Sequence, residues 1–320
     1  MLYNLEEYSM KRKIAALFLL VGISCVLLTG CKSTDYKKGV EYQDAGDYAS
    51  ALDMYLGIDG YESYKDTADR VATCQAMIDA INSFKTASDS AAAKNSEMDA
   101  ATSEAEALIA EKAPALDENL YPALESGVSA AKASKVNVPE MPSTADEINA
   151  TAEQLNAIDY SAVIAELSSA QEALEKSIKQ YALVDAPDEA YVIQCLQKVP
   201  GIIDISAVTE DNDPNGKLNK AGGYTAQVYF SSELVDQNSV YGTTVIEKGT
   251  DCGGSIEVYA NVDDATKRED YLATFDGGIF ASGSHKIIGT VLVRTSDNLT
   301  ASQQQELEAN IIAALTNVDD

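Results

Sequence analysis

The feature that most constrains the fold is a change of composition near Pro187. From Gln75 to Tyr181 the chain is rich in Ala, Ser, Glu and Lys, poor in aromatics, and spaces its apolar residues by three and four. Beyond Pro187 it turns to short runs of Val, Ile, Tyr and Thr separated by Gly, Asn and Asp. Three- and four-residue spacing makes one apolar stripe along a helix, whereas short β-branched runs bounded by turn residues make strands. The chain is therefore expected to be multi-domain, an all-α part followed by a C-terminal α+β sandwich.

The helical part predicts one helix over ~75–112 ended by Pro114, a second over ~117–135 despite Pro122, and the loop Val136 to Pro142. Ser143 or Thr144 caps a third, bending near Asp159 and continuing through Leu167, Leu174 and Tyr181. Short connections between Ala-rich faces imply antiparallel neighbours in a thin, elongated bundle. Ala182 to Pro187 reads as a linker. After it come a short helix (Asp188–Val199), strands over Ile202–Thr209, Tyr224–Ser231 and Gly254–Val262, a helix Asp263–Phe275, a strand Ile287–Thr295 and a last helix Ala301–Leu315. That order describes a mainly antiparallel sheet with helices on one face. Strand, helix and strand between Ser255 and Arg294 suggest a βαβ-type unit.

At the other end, Lys11-Arg12-Lys13 precede the apolar run Ile14 to Leu28, and Leu27-Leu28-Thr29-Gly30-Cys31 closes it. A positive segment, a short apolar core and small residues at the cut make a secretory signal. Its 15 residues are short of the ~20 that a helix needs to cross ~30 Å of hydrocarbon. Glu6 and Glu7 suit such a signal poorly, which points to translation from Met10. The Leu-to-Cys motif resembles the lipobox of bacterial lipoproteins. That resemblance implies cleavage between Gly30 and Cys31, a diacylglyceryl thioether on Cys31, a further acyl chain such as palmitate, and a site on the outer face of the cytoplasmic membrane. Anchoring by two or more chains is stable because each buried methylene contributes ~0.8 kcal/mol.

Gly39, Tyr42, Tyr48, Ala51 and Tyr55 stand at offsets 0, 3, 9, 12 and 16, with a turn at Gly46-Asp47. This pattern resembles one tetratricopeptide repeat over 31–83, with Ile58 departing from it; Asp66 or Thr67 then caps the next helix. A single repeat buries its face only against a neighbour, which favours a spacer over a peptide-binding groove. The Ala-rich region, 84–182, is similar to the helical modules of large Gram-positive wall and matrix-binding proteins, the EbhA/FIVAR type. Such modules imply either adhesion to host matrix or a stalk. The domain over 187–320 resembles the C-terminal part of Gram-positive lipoproteins that carry no assigned activity.

The formal charge is −28. Without residues 1–30, which hold two Glu, two Lys and one Arg, it becomes −29. Nucleic acid is an improbable partner, because binding there depends on Lys and Arg at phosphates; the field suits a crowded surface protein or attracts divalent cations. Cys25 leaves with the signal and Cys31 is acylated, so Cys74, Cys195 and Cys252 allow one disulfide at most.

Candidate chemistry is sparse. Asp211-Asn212-Asp213-Pro214-Asn215-Gly216 places oxygens at positions 1, 3 and 5 and glycine at 6, the first half of a calcium loop, but position 12 is Gly222. The competing reading is a turn-rich loop. Cys252 and His285, the sole histidine, would form a nucleophile pair only if strands three and four were neighbours. No phosphate loop, zinc motif or other cofactor signature is present. The reading is a non-catalytic, lipid-anchored surface protein whose C-terminal domain binds a protein, wall or matrix ligand. The alternatives are an envelope enzyme using Cys252 and His285, or a structural spacer.

Overall fold

The computed structural model describes residues 31–277 and 283–319. The signal run, Met10, Cys25 and Gly30 lie outside them. Among the described residues no helix is long and apolar enough to cross a membrane, and no two of Cys31, Cys74, Cys195 and Cys252 are joined in a disulfide. An all-α region is followed by an α+β domain built on an antiparallel sheet.

The chain divides into two compact units, one reaching to Ala92 and including Val138–Ala157, the other formed by Ala93–Asn137 and Ile158–Asp320. In the first, α1 (Lys32–Asp44) and α2 (Tyr48–Leu56) form a hairpin turned at Gly46, and Asp47 caps α2 through the Ser50 amide. Ala51, Tyr55, Ile58 and Cys74 make its core. Gly39 sits under the Tyr55 ring, where a Cβ would stand 2.5 Å from Cε1. The next helix, α3 (Thr67–Glu111), is one continuous element through the 83/84 boundary drawn from composition. α5 (Ala145–Asn156), capped by Thr144, completes this unit.

In the second unit α4 (Leu120–Ser134) packs against α6 (Ser161–Leu183). The bend expected near Asp159 is a full break between α5 and α6. Salt bridges Lys132–Glu106 and Lys135–Asp99, both 2.6 Å, tie α4 to α3. The expected linker is not free chain. Val184 is fully buried in the core of the α+β domain, and its carbonyl accepts bonds from the Thr290 amide (2.9 Å) and hydroxyl (3.1 Å). The segment marks a change of composition and carries a proline, but local sequence holds no record that Val184 is the side chain that docks it.

The α+β domain adds α7 (Glu189–Leu196, capped by Asp188), β1 (Ile202–Ala207), β2 (Tyr224–Ser232), α8 (Val245–Lys248), β3 (Gly253–Tyr259), α9 (Val262–Ala273), β4 (His285–Ile288), β5 (Val291–Thr295) and α10 (Ala301–Leu315). The sheet order is β1-β2-β3-β5-β4, every neighbouring pair antiparallel. The single strand expected over Ile287–Thr295 is a hairpin, β4 and β5, turned at Gly289-Thr290 with Gly289 at φ 57°. β4 consequently runs parallel to β3 with β5 between them, so the βαβ-type unit is split by an inserted strand.

Strand periodicity sorts the side chains into two faces. Val228, Phe230, Ile256, Val258, Val291 and Val293 join α7 and α10 in the larger core. Tyr224, Tyr229, Tyr259 and Leu292 face the other way, onto Ala265 and Leu272 of α9 and onto Val208 and Leu218 of the β1–β2 loop. Helices thus cover both faces, where the sequence order predicted one. β3 and β5 are buried at every position.

Candidate functional site

The second face is where chemistry gathers: it alternates with a largely apolar one, is buried, and yet carries charged side chains. Glu257, at the middle of β3, has no exposed surface. Its carboxylate accepts from Tyr259 Oη (2.6 Å), Arg268 Nε (3.0 Å), Arg268 Nη2 (3.2 Å) and Arg294 Nη1 (3.1 Å). Burial pushes this carboxyl up, but Arg268 and Arg294 outweigh burial and hold it below the usual carboxylate range. Burial likewise pushes the Tyr259 phenol upward, and the Glu257 charge adds to it.

Helix geometry delivers Arg268. Asn261 caps α9 by accepting from the Asp264 amide. Ala265, Arg268, Glu269 and Leu272, spaced by three, four and seven, form the stripe turned to the sheet. Lys267 and Tyr271 flank it at the exposed edge; Lys267 pairs with Asp264 at 2.9 Å, and the Arg268 guanidinium carbon lies 5.6 Å from the Tyr271 ring centre.

Facing α9, the β1–β2 loop is held by Asp213. Its carboxylate accepts from the amides of Asn215 (2.9 Å), Lys217 (2.6 Å) and Leu218 (2.7 Å) and from the Tyr224 hydroxyl. Burial raises this carboxyl, yet the four donors prevail and it ends below the usual range. Of the residues singled out for calcium, Asp213 organises the loop, while Asn215 and Asp211 are exposed, Asn215 lying 3.4 Å from the Tyr224 hydroxyl. Among the described residues no group of three or more His, Cys, Asp or Glu side chains is arranged to hold a metal ion.

Between loop and helix lie two adjoining hollows of about 510 and 500 Å³ that share Asn215, Arg268 and Tyr271. The first is lined further by Lys217, Tyr224 and Lys267. The second reaches Tyr229, Thr250 and Arg294. A third hollow, about 600 Å³ beside edge strand β1, contains one cation, Lys248, already bonded to the Gln237 carbonyl at 2.8 Å.

Cys252 and His285 are not brought together. β3 and β5 are neighbours, as their pairing would need, but His285 falls on β4, beyond β5. The Cys252 thiol is fully buried, 3.1 Å from the Gly249 carbonyl, and burial pushes it up to about 11. The His285 ring nitrogens lie 3.2 Å from Glu269 and 3.1 Å from Asp276. The structure instead assembles Glu257, Arg268, Arg294 and Tyr271, none of which the sequence reading selected. One signal was available: the chain has only four arginines, and Arg294 interrupts the apolar strand Val291-Leu292-Val293.

Comparison with protein family models, with curated proteins and with solved structures found no match to this chain.

Proposed function

We propose that this chain is a lipid-anchored surface protein whose α+β domain is a non-catalytic binding module, with the two adjoining hollows as its ligand groove. The observation that carries this reading is the shared rim of Asn215, Arg268 and Tyr271: a polar side chain, a cation and an exposed ring converge over a concave surface. Concave sites with a few placed polar groups are the usual form of ligand pockets. The lipobox-like motif supports attachment through Cys31, the exposed residue at the head of α1. The helical part separates anchor and groove along the chain. A location on the outer face of the cytoplasmic membrane and a ligand of wall or matrix origin belong to the same reading.

Two measurements test it. Labelled palmitate incorporated by the full chain is expected to be lost in Cys31→Ala. Retention of the full chain on purified Gram-positive wall, or on a matrix-coated surface, is expected to fall in Tyr271→Ala, a substitution at an exposed residue. Equal retention of both proteins, or retention of neither, overturns the groove reading.

A further inference from the structure

We infer that the groove recognises an oxyanion, a carboxylate or phosphate group, on the guanidinium of Arg268; this rests on the binding reading above and names the ligand's chemistry. A guanidinium has five N–H donors in a planar fork. Glu257 occupies the Nε–H and one hydrogen on Nη2 from behind. The remaining three have no protein acceptor among the described residues, and Arg268 lines both hollows. A buried carboxylate behind an arginine, with open N–H groups in front, fixes the fork before any ligand arrives, and pre-organised donors lose little freedom on binding.

The surroundings favour the same sign of ligand. Lys217 and Lys267, both exposed, stand on the first hollow with Arg268, against one acidic lining residue, Asp264. Glu257 lies beneath the groove floor with Arg294 as its second partner, so its charge is balanced from both sides. Glu247 lines the second hollow, so the two hollows together carry four cations, Lys217, Lys267, Arg268 and Arg294, against two lining carboxylates, Asp264 and Glu247, and the Glu257 beneath, in a chain whose formal charge is −28. A concave surface focuses such a field, which the acidic remainder of the molecule would otherwise cancel. Asn215 supplies a side-chain amide at the rim, where its Nδ2 makes only long contacts of 3.4 and 3.5 Å to Tyr224 and Gln227. Tyr271 offers an exposed ring face beside the anion position for the body of the ligand.

The test uses the full chain and three probes followed by ligand-detected NMR: inorganic phosphate, N-acetyl-alanyl-alanine, and the amide of that dipeptide as neutral control. Two variants accompany the native chain. Lys217→Glu with Lys267→Glu reverses exposed charges outside the core; Arg268→Lys keeps a cation against Glu257 but removes the fork. Saturable binding of either anion and not of the amide, weakened about tenfold or more in both variants, is the expected result. Preference for phosphate would place the ligand among phosphate-bearing polymers, and preference for the dipeptide among acidic peptides or sugars. Equal binding of acid and amide, unchanged affinity in the variants, or no binding of either anion up to roughly 50 mM overturns the inference. If wall or matrix retention that depends on Tyr271 persists in that case, the binding reading stands and only the ligand class falls.

Discussion

The guanidinium of Arg268 meets the fully buried carboxylate of Glu257 at two points, Nε to Oε2 at 3.0 Å and Nη2 to Oε1 at 3.2 Å. Removing one member of a buried pair leaves the other charge uncompensated, so Glu257→Gln is expected to reduce stability by about 3–5 kcal/mol at neutral pH. The native carboxyl titrates below its ordinary value. Its contribution is therefore present above the unfolded value, about 4.3, and lost as pH falls through the lowered native one. Urea unfolding from pH 7 to pH 2 should show Glu257→Gln losing less stability on acidification than the native chain. Parallel curves would remove Glu257 as a source of the acid dependence.

Gly39 and Tyr55 make a second close pair. Gly39→Ala improves helix propensity by up to ~1 kcal/mol, yet its Cβ would lie 2.5 Å from a ring with no exposed surface. Overpacking of this kind costs ~1–3 kcal/mol and should win. A double-mutant cycle with Tyr55→Leu checks the cause: relief of the penalty in the double variant is expected, and additive losses would contradict it.

Gly289 and Val184 decide whether residues before 187 belong to the α+β domain. A Cβ at Gly289 would meet the Val184 carbonyl oxygen at 2.5 Å, a backbone atom that also holds two bonds from Thr290. Gly289→Ala is expected to destabilise the domain, through this clash and the strain of a left-handed alanine. Val184→Ala should reduce stability by about 1–3 kcal/mol. Denaturant melts of the full chain, followed by a signal from the sheet, measure both; native-like midpoints would mean the segment is not docked in solution.

Asp213 serves four donors, so Asp213→Ala should loosen the β1–β2 loop at a cost of about 1–3 kcal/mol. The loss should be the same in chelator as in millimolar calcium. A loss seen only with calcium would instead make the carboxylate a metal ligand.

Cys252 should be inert. With its thiol raised to about 11 by burial, roughly one molecule in a thousand carries the thiolate at pH 8. Iodoacetamide followed by mass spectrometry is expected to label Cys252 only after denaturation. Rapid native labelling would revive it as a nucleophile.

The local part of this architecture was legible in sequence. Thr144, one of the two caps expected for its helix, accepts from the Glu147 amide, and α10 spans Ala301–Leu315 as its periodicity requires. These signals act within one or two turns of chain. The groove was not legible, and neither was the break at Gly289 that turns one strand into two. Glu257 and Arg294 are 37 residues apart and meet only because β5 lies beside β3.

What the sequence alone determined is the division into a helical part and an α+β part, the sequence of the longer helices and of the strands β1 to β3, and the Leu27-to-Cys31 motif. The tertiary structure decided which face each strand residue occupies and that Val184 is core. It also turned Asp213 into a loop clasp and made Arg268 a buttressed cation open to the groove. The physical reason is range: helix period, β-alternation and caps are properties of neighbouring residues. Burial of a charge depends on which distant element brings its counter-charge, and register and packing settle that only when the sheet closes.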